Sequence, residues 1–199
     1  SDECVLQMEA VTAMDDKGIP ALKDFNVTVH KGEIFGIAGV AGNGQRELGE
    51  VIAGLRPAVS GKLILEGVDV TKASIRTRIS KGISFIPEDR LHTGLVPGLN
   101  LKENVILKEF KGNKYCRRGL LNFSAIEKAA ERFVSKYEIK NGGLDLPVSL
   151  MSGGNQQKLL IAREVDGRPV LIIAAYPVRG LDIGAAETIR EILLEESKN

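Results

Sequence analysis

The chain has 199 residues, enough for one domain with a real core. Its 27 Lys and Arg nearly balance its 26 Asp and Glu, aromatics make up 5 % and Trp is absent, so a nucleic-acid footprint of basic excess and stacking rings is not expected. The longest dense apolar run, Val170 to Ala175, is strand length and far short of the roughly 20 residues of a membrane span, while Cys4 and Cys116 show no metal spacing and read as two reduced thiols.

Residues 5–30 read as β structure. Phe25-Asn26-Val27-Thr28-Val29-His30 alternates apolar and polar, and Asp15 to Pro20 reads as a turn between two strands. Lys31-Gly32-Glu33 leads into Ile34-Phe35-Gly36-Ile37-Ala38, a run suited to a buried parallel strand. Gly39-Val40-Ala41-Gly42-Asn43-Gly44-Gln45-Arg46 follows, then a helix through Ile52. A glycine-rich loop between a strand and a helix is the architecture that cradles phosphate.

The phosphate-loop pattern is G-x-x-x-x-G-K-[ST]. Gly39 and Gly44 fit it. Gln45 stands where a lysine would reach the β- and γ-phosphates, and Arg46 where a hydroxyl would bind Mg²⁺. Neither change is conservative. Gln45 carries no charge, and a charge-assisted bond contributes about 1.5–3 kcal/mol against about 1 for a neutral one. Arg46 has donors only and cannot ligate a metal, although phosphate contact from the flank is open to it. Gly39-x-x-Gly42-x-Gly44 also fits a dinucleotide loop, with Glu66 as a ribose acceptor. Reductases of that spacing use Tyr-x-x-x-Lys, whereas Tyr115, Tyr137 and Tyr176 are followed four residues on by Gly119, Asn141 and Gly180.

Gly61 to Gly67 reads as a strand bounded by turns, and Gly82 to Ile86 as another, ending at Pro87-Glu88-Asp89-Arg90. His92 to Lys114 is loop-like with a short helical run at 101–107, and Lys114 to Arg118 is a small basic cluster that reads as solvated surface. Ser124 and Glu127 match a capping box, and Ile126, Ala129, Ala130, Phe133, Val134 and Tyr137 recur at helical spacing as a core stripe. Met151-Ser152-Gly153-Gly154-Asn155-Gln156-Gln157-Lys158 opens the next helix. Ser152 suits its N-cap, and the glycines leave its first amides bare. Such an end carries roughly +0.5 charge and suits a phosphate. Val170 to Ala175 is a strand, Gly180-Leu181-Asp182 a loop, and Ala185 to Ser197 a last helix. A first residue other than Met and an end inside a charged helix point to a piece of a longer polypeptide.

The Ser152 to Lys158 string, with Gly180-Leu181-Asp182 downstream, resembles the signature region of an ATP-binding-cassette (ABC) nucleotide-binding domain. With Pro87-Glu88-Asp89-Arg90 it is similar to the second, C-terminal cassette of importers for simple sugars and nucleosides, over nearly the whole chain and in the expected order. The resemblance implies an α/β, P-loop NTPase-like cassette with a mixed core sheet, an antiparallel β flank and a helical subdomain. This would be a single domain over 1–199, with core and flank at about 1–98 and 166–199 and the subdomain at about 99–165. It implies ATP as cofactor, with Gly39, Val40, Ala41, Gly42, Asn43, Gly44, Gln45 and Arg46 as the phosphate loop. Glu88 takes the place of a glutamine that senses γ-phosphate and metal. Ser152, Gly153, Gly154, Asn155 and Gln156 become the signature that meets a partner's ATP, Asp182 the loop crossing to that partner, and 92–114 the surface receiving a membrane subunit.

The departures from the family pattern are grouped. Ala174 and Ala175 stand where Asp and Glu would hold Mg²⁺ and polarise water, a loss that for the general base alone costs about 10²–10⁴ in rate. Ala13-Met14-Asp15-Asp16 offers no ring for adenine, and His30 and His92 are misplaced for a switch histidine. Every loss falls on the site this chain would build on its own loop, so no catalytic set is intact and the domain alone is expected inactive. The retained parts belong to a site completed on a partner. The implied arrangement is an asymmetric pair, in which the chain binds ATP weakly or not at all and meets Mg²⁺ only through its partner's site. The implied partners are the N-terminal cassette of the same polypeptide, transmembrane permease subunits and, indirectly, a substrate-binding protein, with a peripheral place on the cytoplasmic face of the membrane. A stand-alone P-loop ATPase and a non-catalytic interaction or regulatory module remain open. The solute is open between sugar and nucleoside, with Ile173 to Pro177 leaning towards nucleoside by resemblance.

Overall fold

The structure is a computed structural model that describes residues 2–40, 42–110 and 114–198. The chain divides into two compact units, one of 1–85, 167–175 and 191–199, the other of 86–166 and 176–190.

In the first unit, β1 (Cys4–Met14), β2 (Pro20–His30), β3 (Ser60–Leu65) and β4 (Val68–Asp69) form an antiparallel sheet of order β2-β1-β3-β4. The turn between β1 and β2 is fixed by Asp15, whose carboxylate accepts the amides of Lys17 and Ile19, both at 2.8 Å. Met8 pairs with Val27 on one side and Leu63 on the other. The register shifts between Met8 and Val11, where Ala10 takes a positive φ of 46° and its amide bonds the Asn26 side chain. This bulge moves the buried set of β1 from even positions, Leu6 and Met8, to odd ones, Val11 and Ala13. Against them packs α1 (Gln45–Ala53) through Leu48, Val51 and Ile52. Arg78, on the short helix α2 (Ile75–Ser80), closes the end of α1. Its buried guanidinium donates to the carbonyls of Val51, Ile52, Thr71 and Ala73 at 2.7–3.1 Å. Strands β5 (Ile83–Ile86) and β8 (Leu171–Ala174) pair with each other.

Two expectations are corrected. The run Ile34 to Ala38 is not a buried strand: residues 33–40 carry no regular structure, and Ile34 and Val40 are 62 % and 75 % exposed. An apolar run becomes a buried strand only where neighbours complete its ladder and cover its faces, and no described strand does either here. The helix read from a Ser124 cap starts earlier. Helix α4 (Phe123–Lys136) is capped by Asn122, whose side chain accepts the Ala125 amide at 3.1 Å. Asn is as good a cap as Ser, and it wins by sitting one turn before the core stripe begins.

The second unit holds α3 (Leu101–Ile106), α4, the hairpin β6 (Cys116–Arg117) and β7 (Leu120–Leu121), and α5 (Gly153–Val165). Helix α6 (Ile183–Glu196) begins in it. Leu159, Leu160, Ile161 and Ala162 are completely buried, so α5 is covered on most of its circumference. Gly94, at the end of a single π-helical turn Arg90–Gly94, lies on Leu160 so closely that a Cβ there would stand 2.7 Å from Cδ2. Asn104 is fully buried and organises the loop before α3, accepting the Val96 amide and donating to the carbonyls of Val96, Leu99 and Asn100. Arg132 of α4 grips Asp166, the C-cap of α5, with two bonds of 2.7 and 2.6 Å.

Candidate functional site

The two sets of loops read as nucleotide-binding fall in different units, the phosphate loop in the first and the signature region in the second. In the phosphate loop, Gly42 and Gly44 both take φ of 90°, and Gly44 is the N-cap of α1. A side chain at 44 is excluded twice, by that φ and because its Cβ would come 2.5 Å from the Ala21 carbonyl oxygen. Gly42 and Gly44 thus supply the tight backbone that leads into the start of α1.

The loop's side chains take two directions. The Val40 carbonyl accepts the Asn43 amide at 3.2 Å and the Gln45 side-chain amide at 3.4 Å. The Gln45 side chain thereby occupies the space directly over Gly39, where even a Cβ would collide with it. Arg46 is turned the other way. Its Nε donates to Glu50 at 2.8 Å and its Nη2 lies 3.3 Å from Asp16. Arg56 joins the same two carboxylates, at 2.7 Å from Glu50 and 2.6 Å from Asp16, and donates to the Met14 carbonyl. The Arg56 hydrogen bond, reinforced by the Arg46 charge, holds the Asp16 carboxyl below the usual carboxylate range. Both carboxylates of this network are thus neutralised by guanidinium groups, and the residue at the metal-ligand position presents only donors. These residues do not fit Mg²⁺. Ala41 lies outside the described residues.

Strand β8 ends at an exposed Ala174. Ala175 and Tyr176 follow, Tyr176 exposed with φ of 47°, and the next carboxylate in the chain is Asp182. No acid at the end of this strand can hold a metal or take a proton. Among the described residues no group of three or more His, Cys, Asp or Glu converges as a metal site.

In the second unit, Ser152 caps α5, with its oxygen accepting the Asn155 amide at 3.5 Å and the Asn155 side-chain amide at 2.8 Å. Asn155 also accepts the Lys140 amide at 2.8 Å, so it braces the segment before the signature. Ser152 is exposed, and Gly153 and Gly154 are half-buried. Gln156, the last of the residues assigned to the signature, points inward. It is 4 % exposed and its amide donates to the carbonyls of Val148 and Met151, both at 3.0 Å, shaping the turn before the helix. Asp182 caps α6 by accepting the Ala185 amide, and its other oxygen lies near Gly154, 3.9 Å from where a Cβ would be. Glu88 forms an exposed ion pair with Arg179.

Two partners were not singled out from the sequence. Arg90 places its guanidinium against Gly153, where a Cβ would stand 2.7 Å from Nη2, adding positive charge beside the start of α5. Glu50 stands one helical turn after Arg46, an i,i+4 spacing visible in the sequence and sufficient to anticipate their pairing.

The ABC transporter family model matches residues 22–177 of the chain. A glucose import ATP-binding protein of Haloferax volcanii is 43 % identical over 196 residues, which are 98 % of this chain and 36 % of that protein. A guanosine import ATP-binding protein of Bacillus subtilis is 39 % identical, over 96 % of this chain and 38 % of its own length. The chain thus spans little more than a third of these relatives. Among solved structures, a dimeric post-hydrolysis state of the ATP-binding cassette MJ0796 bound to ADP and Pi superposes with a TM-score of 0.80 at 24 % identity, over 97 % of this chain and 83 % of that one. A nucleotide-free cassette superposes at 0.78 and 22 % identity, over 98 % of this chain and 78 % of that one. These likenesses give the fold, a P-loop NTPase cassette with antiparallel sheet and helical subdomain.

Proposed function

From the premise that the chain belongs to the ABC transporter family of sugar and nucleoside import ATP-binding proteins, we propose that it acts as the capping half of an asymmetric cassette pair. Its own phosphate loop binds ATP weakly or not at all, and its signature helix closes over ATP held by a competent partner cassette. The observation that carries this reading is the contrast between the two loops. Gln45 folds into the phosphate cradle and Arg46 is bound to Asp16 and Glu50, whereas Ser152 is exposed at the cap of α5 and the Arg90 guanidinium adds positive charge beside Gly153. At that start, unpaired amides and a dipole of roughly half a charge act on the phosphates of the partner's nucleotide without needing a carboxylate from this chain.

The partner in this reading is an N-terminal cassette of the same polypeptide, since the relatives are more than twice as long as the matched part. The pair sits peripherally on the cytoplasmic face of the membrane and couples hydrolysis to a permease fed by a substrate-binding protein. The solute is a simple sugar or nucleoside, as the relatives' names describe for them.

Calorimetric titration of the chain with ATP, with and without Mg²⁺, tests the first half of the proposal. Weak or absent binding indifferent to Mg²⁺ is expected, and tight Mg²⁺-dependent binding would sink it in favour of a stand-alone ATPase. In the full transporter, Ser152→Glu should abolish ATPase activity by placing a carboxylate against the partner's γ-phosphate, whereas Gln45→Ala should leave it nearly unchanged. Loss of activity in Gln45→Ala would refute the asymmetry.

A further inference from the structure

The nucleotide-binding reading leaves unused a basic hairpin of the second unit. Strands β6 and β7 pair Cys116 with Leu121 and Arg117 with Leu120 across a two-residue turn, Arg118-Gly119. Both turn residues have positive φ, 53° and 81°, the twist that matches a tight antiparallel hairpin. Directly opposed residues share a face, so Arg117 and Leu120 stand side by side on one surface. Leu120 is 77 % exposed, and Phe123, the first residue of α4, is 74 % exposed. Arg117 and Arg118 are exposed and make no ion pair among the described residues. No acidic residue occurs between Glu109 and Glu127, whereas Lys114, Arg117 and Arg118 fall within that interval.

We propose that this hairpin is a membrane-surface contact, with Leu120 and Phe123 entering the headgroup layer of an anionic phospholipid leaflet and Arg117 and Arg118 lying on its phosphates. The combination fits lipid chemistry. Large apolar side chains partition to the interface, while arginine buries its stem and keeps its charge at phosphate depth. A protein partner fits less well, because a stable interface covers about 800 Å² on each side and the hairpin has two strands of two residues each, with Leu120, Leu121 and Phe123 as its exposed large apolar side chains. The proposal rests on the chain's placement at a membrane face and not on the capping role, so it succeeds or fails without nucleotide.

The test is co-sedimentation of the chain with phosphatidylcholine vesicles, with and without phosphatidylglycerol. Binding is expected only with phosphatidylglycerol, weakening as salt is raised. Arg117→Glu/Arg118→Glu should weaken it roughly 30-fold or more, since each cation near such a surface contributes about fivefold. Both residues are solvent-exposed, so its melting curve should match the parent's. The chain has no tryptophan, so Phe123→Trp supplies a single reporter whose emission should shift to shorter wavelength on phosphatidylglycerol vesicles and not on neutral ones. Equal binding to neutral vesicles, unchanged binding after charge reversal, or a reporter that stays in water would each overturn the proposal. Crosslinking of position 120 to a permease in place of lipid would assign the hairpin to a protein partner instead.

Discussion

Arg46 shows how one side chain sets the chemistry of a glycine-rich loop. Gly42 and Gly44 keep the positive φ that a tight glycine turn needs, and the Arg46 guanidinium after them is tied to Asp16 and Glu50. Gln45→Lys alone should therefore raise ATP affinity by less than about tenfold, because the metal position stays cationic. Gln45→Lys combined with Arg46→Ser should restore Mg²⁺-dependent binding, and titration calorimetry separates the two outcomes. Asp16 supplies a pH signature. Its folded-state pKa lies below its unfolded value of about 3.9, so its stabilising contribution is present above about pH 4 and is lost as pH falls through the folded pKa. Melting temperatures of the parent and Asp16→Asn should differ near neutral pH and converge in acid. Arg78 is the other residue that matters at this scale, as a buried cation bonded to four carbonyls. Arg78→Met should cost about 2–4 kcal/mol in urea unfolding, because acceptors at the end of α1 lose their donor, and Arg78→Lys should recover only part of it.

Among the elements, α5 is where core and candidate site are the same object. Its first turn carries Ser152, Gly153 and Gly154, and its body is completely buried at Leu159, Leu160 and Ile161. Position 160 is also pressed against Gly94. Leu160→Ala should cost about 2–5 kcal/mol in chemical unfolding and loosen the turn that carries Arg90. Much of α5 was legible, since the Ser-Gly-Gly start announces an N-cap and the following run of helix formers announces its length. The inward turn of Gln156 was not. A glutamine next to a ligand loop looks like a ligand-facing residue, and only the tertiary structure brings the carbonyls of Val148 and Met151 within reach of its amide. The start of α4 failed for a related reason. Asn122 and Ser124 are both good caps, and the competition was decided by which one preceded the first packed turn.

For the whole molecule, the division into two units separates the phosphate loop from the signature region. A capping cassette should show no ATPase turnover alone and should regain a role only beside a partner with an intact phosphate loop, which a coupled phosphate-release assay on the full transporter and on this chain would resolve. The sequence by itself determined the family, because the motifs that carry it depend on which residues stand at fixed local spacings. It also determined the antiparallel hairpin of β1 and β2, because period-two alternation and the Asp15-Asp16-Lys17-Gly18 turn are local. The tertiary structure alone decided that Gln45 turns into the loop and that Arg46 meets Asp16, 30 positions earlier in the chain. It also left Ile34 to Ala38 outside any sheet and placed Arg117 beside an exposed Leu120. Side-chain direction and strand pairing depend on neighbours distant in sequence, and no local spacing encodes them.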